Sequence, residues 1–192
     1  ILSKHKINCK NLNKNYKILL SNRNLEKIYN IEIIIKSLLE LPENLILIIA
    51  GSGSNANNLF NLASKLSLLD RVFFVGAYNQ VDLLEFFSIT NIFISASKYD
   101  AGLSISVAEA MACKIPVIVS NNSDNERWIK QDKTGWLFET LSSTDLASKI
   151  KHVLKINNLK KNNILEKSRI LISENNSLIK SMNKMSVIYN EL

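Results

Sequence analysis

The sequence predicts an α/β fold, a Rossmann-like, doubly wound parallel sheet of about six strands. Short apolar runs alternate along the chain with longer segments whose apolar residues recur at helical spacing. The run Leu45–Ala50 (LILIIA) is apolar throughout, which is typical of a strand buried on both faces of a parallel sheet. Glycine and small polar residues follow the runs, at the strand ends where such sheets bind ligands.

The composition indicates one sizeable globular domain. The chain has 192 residues, of which 46% are hydrophobic and 21% charged. No apolar run reaches the ~18 residues of a membrane-spanning helix. The net charge of +7 comes with lysines that form no long run and have no interleaved aromatic residues, so we predict no nucleic-acid partner. Two histidines and two cysteines do not support a metal site, and Cys113, beside Met111 and Ile115, is expected to be a buried, reduced thiol.

The strand candidates are β-branched or apolar runs bounded by glycine, proline or polar residues. A polar segment, Ile1–Asn15, precedes them and is typical of a linker or of a chain that enters from elsewhere. In chain order the candidates are Lys17–Ser21, Leu45–Ala50, Arg71–Val75, Asn91–Ser95, Pro116–Ser120 and Trp136–Phe138.

Helical periodicity occupies the segments between the strands. It places Ile28 and Leu39 on the apolar face of the first helix, and Val81 and Leu84 on that of the third. The predicted helices run from about Ile28 to Pro42, from Gly53 to about Ser67, over Gln80–Ser88, over Ser104–Cys113, near Glu126–Lys130, over Thr144–Leu154 and from Ile164 to Leu192.

A glycine turn follows the second strand. Gly51-Ser-Gly53-Ser-Asn-Ala56 matches the dinucleotide fingerprint G-x-G-x-x-A. The next strand lacks the acidic end residue that would hold a ribose, because it ends Phe-Phe-Val-Gly-Ala. Three interpretations stay open: an NAD-type Rossmann domain, a phosphate or sugar approaching the backbone, and a tight turn that merely needs glycine.

Two cations follow the first strand. Arg23 and Lys27 suit a diphosphate, and the arginine offers a two-donor fork. Two solvated charges near a helix start are the alternative.

One carboxylate lies inside an apolar helix. Glu109 follows Gly102 by seven residues, and its neighbours Val107, Ala108 and Ala110 are all apolar or small. The free N–H groups at the start of that helix point toward the ligand space. A carboxylate there can accept hydrogen bonds from a vicinal diol such as a ribose. The alternative is a solvated glutamate on the helix surface.

The run AGLSISVAEAMACKIPVIVS, residues 101–120, resembles the signature of retaining glycosyltransferases of family 4 (glycosyl transferases group 1), which have the GT-B fold. That signature is an acid, seven residues, Glu-Ala-Met-Ala and a Pro-Val-Ile strand. ILLSNRNLEK resembles the family's first strand and phosphate-binding arginine, and NERWIKQDKTGWLFE its glycine turn after the nucleotide site. The resemblance covers roughly Lys17 to Leu154.

The resemblance implies the C-terminal, donor-binding half of a two-domain enzyme, with the acceptor bound by an N-terminal domain. It implies diphosphate contacts at Arg23 and Lys27, a ribose contact at Glu109, phosphate or sugar contacts at Gly102, Leu103 and Ser104, a base contact at Gly76, Ala77 and Tyr78, and a strand–glycine–helix unit at Gly51 and Gly53.

Three positions depart from the family pattern. The first acid should lie eight residues before Glu109, at Ala101; Asp100 is one place earlier, and a small loop shift would let it reach the sugar hydroxyls. The phosphate-binding lysine should lie at Ile28, one place after Lys27. A glycine is replaced by Lys114 at the end of the Glu109 helix.

The resemblance implies that the donor half binds a UDP- or GDP-sugar for retaining transfer to an acceptor hydroxyl on a glycan, a lipid-linked saccharide or a small molecule. It implies no cofactor and no metal, and an inactive chain without the N-terminal domain. A degenerate, non-catalytic binding module is the alternative, motivated by Ala101 and Ile28.

We predict a linker at residues 1–16, a donor-binding domain at 17–160, and helices at 161–192 that pack toward the N-terminal domain. The apolar stripe Leu178–Leu192 also fits a membrane-surface helix. We therefore expect a cytoplasmic protein, with peripheral contact at the inner face of the cell membrane as the variant suited to a lipid-linked acceptor.

Overall fold

A computed structural model of the protein describes residues 16–100, 102–122 and 124–175. Six parallel strands form one sheet in the order β3-β2-β1-β4-β5-β6. This confirms the predicted Rossmann-like α/β fold. The strands are β1 (Lys17–Ser21), β2 (Leu45–Ala50), β3 (Val72–Gly76), β4 (Ile92–Ser95), β5 (Val117–Ser120) and β6 (Trp136–Phe138).

Helices connect the strands as predicted. They are α1 (Ile31–Ser37), α2 (Ala56–Lys65), α3 (Gln80–Ile89), α4 (Ile105–Ala112), α5 (Asn125–Trp128), α6 (Ser143–Lys155) and α7 (Asn158–Asn175), with 3₁₀ turns at Lys27–Tyr29 and Leu38–Glu40. The last helix begins at Asn158 rather than Ile164, and its predicted extension to Leu192 lies outside the described residues. Within the described part of the chain, no helix has the length and apolar character needed to cross a membrane.

The sheet has an apolar layer on each face, because successive side chains of a strand point to opposite sides. Leu19 and Leu47 face the layer that contains α1, α2 and α6. Leu20 and Ile48 face the layer that contains α3 and α4. The two layers make the sheet doubly wound, as predicted, and they leave the carboxyl ends of its strands open for a site.

The predicted inward face of α3 is wrong. Val81 and Leu84 are each 64% exposed, whereas Leu83 and Phe86 are buried. A capping box begins the helix: the Asn79 side chain accepts from the Asp82 N–H, and Asp82 accepts in return from the Asn79 N–H. The capping box fixes the start of the helix at Gln80, and packing against the sheet buries positions 83 and 86.

The ends of the first helical segment are also more exposed than its periodicity predicts. Ile28 is 43% exposed and Leu39 57% exposed. Each lies in a 3₁₀ turn beside α1, so neither follows the helical phase of the residues between them.

Cys113 is exposed, which contradicts the predicted buried thiol. It is the C-cap of α4, and the apolar neighbours Met111 and Ile115 turn inward without it. Lys114 follows in the left-handed region, with φ 55°. The Lys114 N–H donates to the Met111 carbonyl and the Ile115 N–H to the Ala110 carbonyl, at 3.1 and 3.0 Å. The lysine that replaces a family glycine therefore leaves a regular helix end, and its ammonium pairs with Glu166 on α7.

Candidate functional site

A cavity of about 770 Å³ opens at the carboxyl ends of β1 and β4. These two strands are neighbours in the sheet although β2 and β3 lie between them in the chain, so the loops that follow them diverge and leave a crevice. The loops after β1, β3 and β4 and the first turns of α4 line the cavity.

The cavity brings together about half of the predicted site residues. Arg23, Tyr78, Asp100, Leu103, Ser104 and Glu109 line it. The other predicted residues, Lys27, Gly51, Gly53, Gly76, Ala77 and Gly102, do not.

Arg23 is held by side chains from three parts of the fold. Its Nη2 donates to Asp100 Oδ1 at 2.6 Å, and its Nη1 donates to Ser106 Oγ at 3.2 Å. The guanidinium carbon lies 4.4 Å from the centroid of the Tyr29 ring, a cation–π distance. The Nε atom is buried and has no hydrogen-bond partner among the described residues. The guanidinium therefore has a fixed position and a remaining donor.

Asp100 is the most enclosed carboxylate of the cavity. Its side chain is 6% exposed, against 12% for Arg23, and its Oδ2 is buried without a partner in the described part of the chain. Burial raises the pKa of the Asp100 carboxyl, Arg23 and the Ser97 hydroxyl oppose that rise, and the nearby Asp124 adds to it. In this structure Asp100 is therefore a partner of Arg23. Ala101, the expected place of the family's acid, lies outside the described residues.

The Gly102 amide is already engaged. It donates to Asp124 Oδ2 at 3.1 Å, so it bonds to a carboxylate of its own chain rather than facing open space. Leu103 and Ser104, the next two residues, line the cavity at the start of α4. Asp124 thereby ties the loop after β4 to the loop after β5.

Glu109 faces the cavity from α4. The helix turns Val107, Ala110 and Met111 into the core, which leaves position 109 on the cavity side. Burial raises the pKa of the Glu109 carboxyl. No described group donates a hydrogen bond to it, so its oxygens can accept from the hydroxyls of a ligand.

The glycine turn at Gly51–Gly53 packs closely against the backbone of the loop that follows β1 and carries Arg23. A Cβ at Gly51 would lie 2.7 Å from the Arg23 carbonyl oxygen, and one at Gly53 would lie 2.4 Å from that of Leu25. The Leu25 N–H donates to the Ser52 carbonyl, and the Leu25 carbonyl accepts from the Asn55 N–H. These contacts favour the tight-turn interpretation of Gly51–Gly53, because the missing side chains make room for backbone.

Tyr78 connects two loops at the cavity wall. Its hydroxyl accepts from Asn22 Nδ2 at 3.1 Å and lies 3.3 Å from the Asn22 carbonyl, to which it donates. Burial raises the pKa of Tyr78. Gly76, two residues earlier, has φ 74° and accepts from the Gly51 N–H, so it shapes the loop that carries Tyr78.

Lys27 lies outside the cavity lining. Its side chain is exposed, and it occupies the 3₁₀ turn before α1. Its role at a diphosphate remains a prediction.

The cavity residues that were not among the predicted site residues include Asn22, Tyr29 and Ser106. Ser106 lies one helical turn before Glu109, a spacing that puts both on one face of α4 and could have identified it. Nothing in the local pattern distinguishes Tyr29 from a core residue, since its role comes from Arg23 folding back over it.

Residues 4–169 match the profile of the family described as glycosyl transferases group 1. The chain belongs to this family. The fold agrees with that assignment, and the cavity lies where α/β sheets of this kind bind their ligands.

Three curated relatives share 23–27% identity with the chain. An uncharacterized glycosyltransferase of Methanocaldococcus jannaschii is 27% identical over 172 residues, 88% of this chain and 43% of its own. The UDP-Gal:alpha-D-GlcNAc-diphosphoundecaprenol alpha-1,3-galactosyltransferase of Escherichia coli is 26% identical over 78% of this chain and 37% of its own. The N-acetyl-alpha-D-glucosaminyl L-malate synthase of Bacillus anthracis is 23% identical over 93% and 46%. The chain thus spans less than half the length of these relatives.

Solved structures share the fold. The Anabaena HepE protein, in complex with UDP and glucose, superposes with a TM-score of 0.85 at 18% identity, over 99% of this chain and 52% of that one. A glycosyltransferase of Rickettsia africae has a TM-score of 0.83 at 24% identity, over 100% and 52%. These likenesses show that this chain has the fold of about half of a GT-B glycosyltransferase.

Proposed function

We propose that this chain is the donor-binding, C-terminal half of a retaining glycosyltransferase of family 4. The observation that carries the proposal is that the Arg23 guanidinium and the Glu109 carboxylate line one cavity at the junction of β1 and β4, and that no described group donates to Glu109. The cavity has a volume of about 770 Å³, which is suited to a nucleotide sugar.

The two groups suit different parts of such a donor. Arg23 carries the charge and the donors that a diphosphate needs, both when the donor binds and when the diphosphate leaves with its electron pair. Glu109 accepts hydrogen bonds from ribose hydroxyls. The start of α4 at Leu103 and Ser104 directs N–H groups toward a phosphate or sugar. In this scheme the protein positions the sugar and stabilises the leaving group, and it uses neither metal nor cofactor.

UDP is the nucleotide we favour. The HepE structures contain UDP or UDP-glucose, and the Escherichia coli relative uses UDP-Gal. The same relative acts on a diphosphoundecaprenol-linked sugar, which motivates a lipid-linked acceptor at the inner face of the cell membrane. An N-terminal domain would supply the acceptor site. Residues 17–160 would form the donor unit, and residues 161–192 would pack back toward that domain.

A thermal-shift titration with UDP, GDP and ADP tests donor binding. A ligand at 100 times its dissociation constant stabilises a protein by about 2.7 kcal/mol, so a shift of several degrees is expected with UDP. Glu109→Ala should remove most of that shift. Glu174→Ala, which truncates an exposed glutamate of α7 away from the cavity, should retain it. If none of the three nucleotides raises the melting temperature, the proposal is refuted.

A non-catalytic nucleotide-binding module is the second candidate. It is favoured by the engagement of Asp100 with Arg23, which leaves the family's first acid without a replacement at the sugar. Sugar transfer by the full-length protein eliminates this candidate. An NAD-type domain requires binding of NADH, which a fluorescence titration measures directly.

A further inference from the structure

Asp100 occupies one of the Arg23 donors that a phosphate could use. A guanidinium offers two edges with paired donors, one formed by Nε and Nη2 and the other by Nη1 and Nη2. Both edges include Nη2, the atom that donates to Asp100 Oδ1 at 2.6 Å. Because Nη2 carries one N–H on each edge, its bond to Asp100 leaves only one of the two edges with both donors available for a phosphate.

Charge leads to the same conclusion. The Arg23–Asp100 pair has no net charge, and the pair is largely enclosed, with side-chain exposures of 12% and 6%. A diphosphate arriving beside it meets a carboxylate that repels it at close range. Asp124 lies near the same carboxylate and adds a second negative charge beside it.

The pair is also incompletely satisfied. Arg23 Nε and Asp100 Oδ2 are both buried without hydrogen-bond partners among the described residues. Leaving a buried polar atom unpaired destabilises the contact that contains it. The unliganded contact is thus weaker than a fully bidentate ion pair, and an incoming anion can replace it.

We propose that Asp100 is an internal counter-anion that holds Arg23 in the empty site and competes with the diphosphate of the donor for it. This inference rests on the proposed phosphate role of Arg23. Ser106 and Tyr29 keep the guanidinium in place when Asp100 withdraws, because their contacts use Nη1 and the ring face rather than Nη2. They are positioning residues.

Asp100 can withdraw without a rearrangement of its loop. The Ser97 hydroxyl holds the Tyr99 carbonyl at 2.7 Å, and Asp124 holds the Gly102 amide. These anchors flank Asp100, so a rotation of its side chain is sufficient. The raised pKa of Asp100 eases the release further, because protonation removes the charge that competes.

Calorimetric titration with UDP, and with uridine as a probe without phosphate, tests the inference. Asp100→Asn retains the shape of the side chain and removes its charge. It should bind UDP roughly three- to tenfold more tightly than the wild type, with unchanged affinity for uridine. Asp70→Asn is the matched control, since it removes the charge of an exposed aspartate just before β3, outside the cavity lining, and its effect should stay within about twofold.

Unchanged or weaker UDP binding by Asp100→Asn overturns the inference, since it would mean that Asp100 supports Arg23 in the bound state. The variant Arg23→Gln separates this failure from failure of the proposed function. If Arg23→Gln binds UDP like the wild type, the phosphate role of Arg23 is wrong; if it loses UDP while Asp100→Asn gains nothing, only the inference falls.

The pH dependence gives an independent readout. Arg23 and Asp124 face Asp100 in the wild type and in Asp100→Asn alike, so the ratio of the two UDP affinities isolates the Asp100 charge. That ratio should shrink toward one as the pH falls and Asp100 becomes protonated. A ratio that does not change as the pH falls from about 8 to the ordinary aspartate pKa of about 3.9 contradicts the inference.

Discussion

Replacing Gly53 by alanine tests the packing of the glycine turn against the Arg23 loop. The added Cβ would lie 2.4 Å from the Leu25 carbonyl oxygen and 2.5 Å from its carbonyl carbon. Ordinary contacts of this kind begin at 3.4 Å, so the overlap is about 1 Å. Glu26 Oε1, at 2.8 Å, can turn away, but the Leu25 backbone cannot. The loop and the start of α2 must therefore move apart.

The expected cost follows from that displacement. Inserting a methyl group into a well-packed contact costs about 1–3 kcal/mol. The same displacement strains the two backbone hydrogen bonds of Leu25, to Ser52 and Asn55, each worth about 1 kcal/mol. The loss of glycine entropy in the unfolded chain returns about 0.4–1 kcal/mol. We expect the free energy of unfolding to fall by about 2 kcal/mol, which lowers the melting temperature by about 4–8 °C.

Chemical denaturation of the 192-residue protein measures this loss. Ser52→Ala is the matched control, because it changes an exposed side chain in the same turn without adding a Cβ. Its stability should stay within about 0.5 kcal/mol of the wild type. Gly53→Ala should also weaken UDP binding, since the displaced loop carries Arg23. An unfolding midpoint for Gly53→Ala equal to that of Ser52→Ala would refute the reasoning.

Two further substitutions test other features of the fold. Lys114→Gly should raise the free energy of unfolding by up to about 1 kcal/mol, because relief of about 1–2 kcal/mol of left-handed strain outweighs a half-exposed pair with Glu166. Lys114→Ala keeps the backbone strain and should not stabilise the protein. An unfolding midpoint for Lys114→Gly below that of the wild type contradicts the prediction. Asp132 accepts from His152 and Trp136, and these bonds outweigh burial and lower its pKa. The wild type should therefore exceed Asp132→Asn in stability above the ordinary pKa of about 3.9, and lose that advantage as the pH falls through the lower folded value. Denaturation series at about pH 6 and pH 2 measure the difference, and a constant difference would argue against it.

The elements of the fold were predictable because their signals are local. The run of β2 is apolar at every position, and all its residues are buried. The face of α3 was not predictable in this way. Its sequence, QVDLLEFFSI, places large apolar residues around most of the helix, so periodicity does not select one face. Packing of Phe86 and Leu83 against the sheet determines which face of α3 is buried.

The location of the site could be predicted from the sequence, but most of the contacts within it could not. Residues after parallel strands must gather at one edge of the sheet, which is why Arg23, Asp100 and Glu109 line one cavity. The bond between Arg23 and Asp100 depends on how β1 and β4 are registered against each other, and no local pattern encodes that register. The same holds for Tyr29, whose ring contributes only because the guanidinium lies over it.

The site is complete only when the two units of the sheet are paired along the seam between β1 and β4. Arg23 and Asp100 are 77 positions apart in the chain, and they meet only where Leu19 and Leu20 pair with Ile92 and Phe93. Neither the unit of β1 to β3 nor that of β4 to β6 contains both groups. Closing so long a loop is slow and is rewarded only when both units have docked. A ligand that contacts both units would therefore bind only when the two units are paired. A substitution that disrupts the pairing of β1 and β4 far below the cavity would weaken ligand binding as well as stability.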